Sequence, residues 1–225
     1  MSTIDILKIL LNTAEILACI TGFIYWKKLR SSYWKYFPLY LGIIVFCELA
    51  GKYLNYTGHN SLKVGLYNFF VIPLEIFFFV SIFYKEFEKL SVRWLPIAAA
   101  CIYFICWLAD MFIISKYPNW WFHSFSYTVG ILLMLVLILT FLYILATGND
   151  ILFIKSNIMF WVCLGLFVFY FCSLPFFGVG NYLFAHYKNI YIGYAHATYI
   201  LNFIMYSLFT IAFIWGKPKS SSSLA

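Results

Sequence analysis

The run Phe-Val-Ile-Pro-Leu-Glu-Ile-Phe-Phe-Phe at 70–79 sets a carboxylate, Glu75, two positions after Pro73 and among aromatic side chains. An acid in such surroundings can hold and release a proton, because burial favours the neutral form of a carboxyl while nearby polar groups favour the charged one. It can equally stay neutral and join helices, here through Asn202 or a tyrosine, at roughly 0.6–2 kcal/mol per contact. Glu15, Glu48, Lys52 and Asp110 share this apolar setting, as do His196 and Asn202. Charges at bilayer depth cost about 2.5–3.5 kcal/mol each on insertion scales, which makes each a functional candidate.

Spacing groups them. Glu48 and Lys52 stand at i and i+4, the favourable order for an intrahelical ion pair. Asn68 and Glu75, at i and i+7, share one helix face, and His196, Tyr199, Asn202 and Tyr206 form a stripe on another helix. Glu75, Glu15, Glu48, Lys52, Asn68, His196, Tyr199 and Asn202 are therefore the expected lining of a cavity for a small polar solute or a proton. Pro73 removes one backbone hydrogen bond, and in lipid the freed carbonyl needs another partner. Asp110, near the end of its span, reads as a solvated acid. His123, His186, His196 and Asp110 are residue types that zinc accepts. None stands in a His-Glu-x-x-His or related motif, so no cofactor is expected.

The elements that must position these groups follow from composition. Of 225 residues, 64% are hydrophobic and 10% charged, against about 25% charged in a soluble domain. The chain reads as an all-α polytopic membrane protein, with no room for a soluble catalytic fold or a nucleic-acid module. Apolar windows predict seven transmembrane helices at about 4–26, 36–56, 64–84, 93–115, 122–146, 157–180 and 189–215. They form one domain over about 1–216, followed by a flexible serine-rich tail over about 217–225. Ile16-Leu17-Ala18-Cys19 loosely resembles a lipoprotein cleavage box, but Asn12, Thr13 and Glu15 precede it and a basic start is missing, so a span is expected there.

Basic residues cluster after the first, third, fifth and seventh spans: Lys27, Lys28, Arg30 and Lys35, then Lys85, Lys89 and Arg93, then Lys155, then Lys217 and Lys219. The positive-inside rule places the N-terminus outside and the C-terminus in the cytoplasm. The net charge of +7 is then a topology signal, with anionic lipid as its partner. The location that follows is a plasma membrane, or the inner membrane of a bacterium. In this orientation the ionisable residues lie from mid-membrane outward, which predicts a polar cavity open to the outside. The six cysteines all fall in apolar segments without a Cys-x-x-Cys pair and read as free thiols.

Leu-Gly-Ile-Ile-Val-Phe at 41–46 resembles Leu-Gly-Leu-Phe-Val-Phe at 164–169, and Leu74-Glu75 then falls near Leu201-Asn202. That is the layout of a parallel 3+1+3 repeat, as transporters use. The layout resembles small seven-helix sugar and vitamin carriers, but the Pro-Gln pairs of the sugar carriers are absent and no residue role carries over. A retinal protein needs a lysine within its last helix, and 189–215 holds none. The leading expectation is a small-solute or proton-coupled carrier built on a mid-membrane carboxylate. Two alternatives stand beside it: a sensor or accessory subunit acting through a membrane protein partner, and a membrane enzyme with an outer-face metal site.

Overall fold

Within hydrocarbon the backbone has no hydrogen-bond partner but itself, so long apolar runs become helices. The computed structural model describes residues 3–114, 124–148 and 154–218. Among the described residues it is 90% helical and has no strand, with 7 helices long and apolar enough to cross a membrane. The helices are α1 (Thr3–Ile24), α2 (Trp26–Leu29), α3 (Tyr36–Tyr56), α4 (Asn60–Leu66), α5 (Ile72–Glu86), α6 (Trp94–Ala109), α7 (Ser124–Thr147), α8 (Ile158–His186) and α9 (Lys188–Trp215).

The expected spans agree with these elements to within a few residues at most ends. The largest difference at a span start is the third, which begins at Asn60 because α4 continues through a π-helical turn at Tyr67–Val71 into α5 without interruption. α8 also continues to His186, past the apolar span that ends at Gly180, and carries Pro175 inside it. Large apolar side chains such as Leu17 and Ile24 on α1, Phe46 on α3, Ile105 on α6 and Tyr143 on α7 point outward. A surface of that kind suits acyl chains rather than water. The six cysteines, all among the described residues, form no disulfide.

The chain divides into two compact units. The first comprises Met1–Gly42, Ile138–Ser173 and Gly193–Ala225; the second comprises Ile43–Leu137 and Leu174–Ile192. In the first unit Phe37 is fully buried and meets Phe209 and Phe213 at ring distances of 5.1 and 5.2 Å. The ends of its helices are closed by side chains. Asn157 Oδ1 accepts the Met159 N–H at 2.9 Å and caps α8. Lys28 Nζ donates to the carbonyls of Phe213 and Ile214 at 3.0 and 3.1 Å, where α9 has no amide left to offer them. Burial, and then the like charge of Lys217, push the Lys28 ammonium below the usual lysine range. The Lys217 amide donates to Ser156 O at 2.6 Å, so the expected tail is held at its first residue; residues from 219 onward lie outside the described residues.

Gly216 makes this junction possible. A Cβ there would collide with the Ala212 carbonyl oxygen and stand 2.6 Å from Ile158 Cα, and neither backbone atom can step aside. Gly216→Ala is expected to cost about 1–3 kcal/mol as an overpacking substitution. The thermal unfolding midpoint of the purified protein should fall by several degrees; an unchanged midpoint would show that the two helix ends are not closely apposed.

Candidate functional site

The second unit holds the polar residues that interact most closely, and its geometry begins with Pro73. A proline cannot donate a backbone hydrogen bond. Just before it the helix is π-wound, and the Ile72 amide donates to Tyr67 O five residues back. The α-helical donor for the Asn68 carbonyl would be Ile72, which is engaged with Tyr67; the π-helical donor would be Pro73, which has none. The Trp107 indole from α6 fills the place, with Nε1 donating to Asn68 O at 3.2 Å. The carbonyl that gains an outside partner is thus Asn68, one residue earlier than an uninterrupted α-helix would give.

Two antiparallel helices are pinned at that level. Trp107 also stands edge-on to Phe69, with ring centres 6.4 Å apart. One turn deeper along α6, Tyr103 is fully buried and stands edge-on to Phe77 at 5.5 Å. It fits against α7 because residue 130 is glycine: a Cβ there would lie 3.0 Å from Tyr103 Cε2 and 3.2 Å from Ile76 Cδ1. On α7, Tyr127 is buried and stands edge-on to Phe177 at 4.6 Å.

Carboxylates complete the group. Glu75 is half-buried on α5, within electrostatic reach of the phenols of Tyr103 and Tyr127. Asp110 also lies within reach of Tyr103. It is not the solvated acid expected from its position: only 2% of it is exposed, and its Oδ2 accepts the Ser126 amide at 2.8 Å. Ser126 lies in the first turn of α7, where amides have no partner within the helix and the dipole favours an anion. Asp110 opens a second π-helical turn, Asp110–Ile114, at the end of α6. The Tyr103 hydroxyl is buried and has no hydrogen-bond partner among the described residues.

The other expected site residues fall as follows. Glu48 accepts the Tyr67 hydroxyl at 2.7 Å, tying α3 to the first residue of the π-turn, and Lys52 is exposed on the same helix. Asn68 is buried. His186 is exposed beside the Tyr182 ring, 4.7 Å away. Glu15, His196, Tyr199 and Asn202 belong to the first unit. There Glu15 is buried, His196 and Tyr199 are half-buried, and Asn202 Nδ2 donates to Thr198 O of its own helix at 3.0 Å. His123 lies outside the described residues. Among the described residues no three His, Cys, Asp or Glu side chains come together in a metal-holding group.

No family model, curated protein or solved structure matches this chain. Tyr103, Tyr127, Trp107 and Ser126 are the members that residue type alone did not single out. The one available signal was spacing: Tyr103 and Asp110 are seven apart and share a helix face, as Asn68 and Glu75 do.

Trp107→Phe keeps the ring but removes the donor, leaving a buried carbonyl unsatisfied at a cost of about 1–3 kcal/mol. Pro73→Ala restores an amide in the same turn. In a double-mutant cycle followed by thermal unfolding, the cost of Trp107→Phe should shrink clearly in the Pro73→Ala background. Simple additivity would show that the indole does not serve this carbonyl.

Proposed function

We propose that the chain is a multi-pass membrane carrier for a small polar solute or for protons, with Glu75 as its proton-bearing group. The observation that carries this reading is the position of Glu75. It is a carboxylate inside an apolar span, within electrostatic reach of two buried tyrosines and just past a π-helical turn. π-turns concentrate at functional sites, and the second one, at Asp110, borders the same group of side chains. Protonation would remove the charge of Glu75 and with it the desolvation penalty, so a proton can set which conformation the span prefers. Basic residues after alternate spans favour an external N-terminus and a cytoplasmic C-terminus, in a plasma membrane or bacterial inner membrane. Lipid is then the standing partner, and the polar set opens toward the outer face.

A second reading, a sensor or accessory subunit acting through a membrane partner, draws on His196. Its Nε2 is buried without a hydrogen-bond partner among the described residues. Purification with a stoichiometric membrane protein would favour that reading.

The carrier reading is tested in vesicles containing the purified protein and a pH-sensitive dye. An imposed pH gradient should dissipate faster than in empty vesicles, and Glu75→Gln should slow the protein-dependent part by roughly 10²-fold. Equal expression and an equal unfolding midpoint would show that the variant is folded. Wild-type proton flux through Glu75→Gln would end the proposal.

A further inference from the structure

The end of α9 in the first unit lacks two donors at once. By the α-helical rule the Phe213 carbonyl would accept the Lys217 amide, and the Ile214 carbonyl the amide of residue 218. The Lys217 amide is turned to Ser156 O at 2.6 Å, and residue 218 is a proline, which has none. Lys28 Nζ fills both places, at 3.0 and 3.1 Å. Its ammonium therefore stands beside the main chain of Lys217, whose like charge reaches it. A third cation comes to the same junction, because a single parallel bridge pairs Lys217 with Asn157, two residues after Lys155.

Lys155 and Lys217 serve the fold through their main chains alone. Lys217 offers its amide to Ser156, and the Lys155 carbonyl accepts Trp161 Nε1 at 2.9 Å. Both residues are exposed, and neither they nor Lys28 form an ion pair among the described residues. No acid occurs in 16–47 or 151–225 to neutralise them. The Lys28 ammonium has three donors, and the two carbonyls take two of them. Beside the junction the Trp161 and Trp215 rings meet edge-on at 5.8 Å, and indoles favour the headgroup level of a bilayer. Ile214, whose carbonyl Lys28 holds, and Ile24, one turn before Lys28, are exposed apolar residues.

We propose that the junction of Lys28, Lys155 and Lys217 is a binding site for one anionic phospholipid. Its phosphate meets the lysines, and its acyl chains lie along exposed apolar residues of α1 and α9. Lysine engages phosphate as a point charge, and three unneutralised cations suit a phosphomonoester headgroup, whose charge near pH 7 is about −1.5 to −2. The site goes beyond the general attraction of basic loops to lipid because it is local and holds a single molecule. It is independent of Glu75, which lies in the other unit.

The test is native mass spectrometry of the purified full-length protein in neutral detergent, titrated with phosphatidic acid. One phosphatidic acid should bind before any other, and phosphatidylcholine should not displace it. Lys155→Gln with Lys217→Gln should weaken that first binding by roughly 25-fold, and each change alone by roughly 5-fold. Lys89→Gln, after the third span, should leave it unchanged. Without lipid the unfolding midpoints should match the wild type, since every main-chain bond persists; the single variants carry the test if the pair does not fold. Equal losses in Lys89→Gln and in the junction variants would mean diffuse attraction and overturn the site. Inorganic phosphate that raises the unfolding midpoint as much as phosphatidic acid does would overturn the lipid as its occupant.

Discussion

The arrangement in the second unit depends on one absent amide hydrogen. Pro73 cannot serve the carbonyls behind it, and the chain responds by winding the preceding turn as a π-helix, with Ile72 bonded to Tyr67. That shift commits the Ile72 amide to Tyr67 rather than to the Asn68 carbonyl, in a medium that supplies no donor. Trp107 answers it from α6. The bond fixes the level at which α5 and α6 face each other, and that level brings Tyr103 beside the turn that carries Glu75. Tyr67, the residue that opens the π-turn, is itself held by Glu48. A single backbone defect is therefore braced from both neighbouring helices.

The polar groups so gathered differ in what they are free to do. Asp110 is committed to the first turn of α7, an interaction that can reach about 2 kcal/mol when partly buried. Glu48 is committed to Tyr67. The Tyr103 hydroxyl has no hydrogen-bond partner among the described residues, and Glu75 is half-buried. Asp110 and Glu48 thus tie neighbouring helices of the unit together. The first unit has a different character, with helix ends closed by Lys28 and Asn157 and a core of phenylalanines.

Much of the fold was legible because hydrocarbon imposes a single rule on any backbone that crosses it. A shortage of charge and seven long apolar runs left helical spans as the sole solution, and their ends came within a few residues. The helix of the third span starts at Asn60, ahead of the expected apolar run, because the less apolar stretch 60–65 belongs to the same continuous helix. Glu75, Asn68 and Glu48 stood out in the sequence because polar residues are rare there. Tyr103 and Tyr127 did not, since tyrosine occurs 19 times and nothing local separates a buried hydroxyl from one at the interface. Asp110 looked solvated because it falls near a span end; its burial comes from α7, whose N-terminus returns to meet it. The π register was invisible for a related reason, since Pro73 announces a missing donor but not which carbonyl will bear the loss.

The central claim is that the Asn68 carbonyl has been released from its own helix and taken up by Trp107. It is tested most directly by NMR detection of coupling through the hydrogen bond, on protein labelled with 15N at tryptophan and isoleucine and 13C at the asparagine carbonyls. A correlation between Trp107 Nε1 and the Asn68 carbonyl carbon is predicted. A correlation between the Ile72 amide nitrogen and that same carbon would mean an uninterrupted α-helical register, and would contradict it.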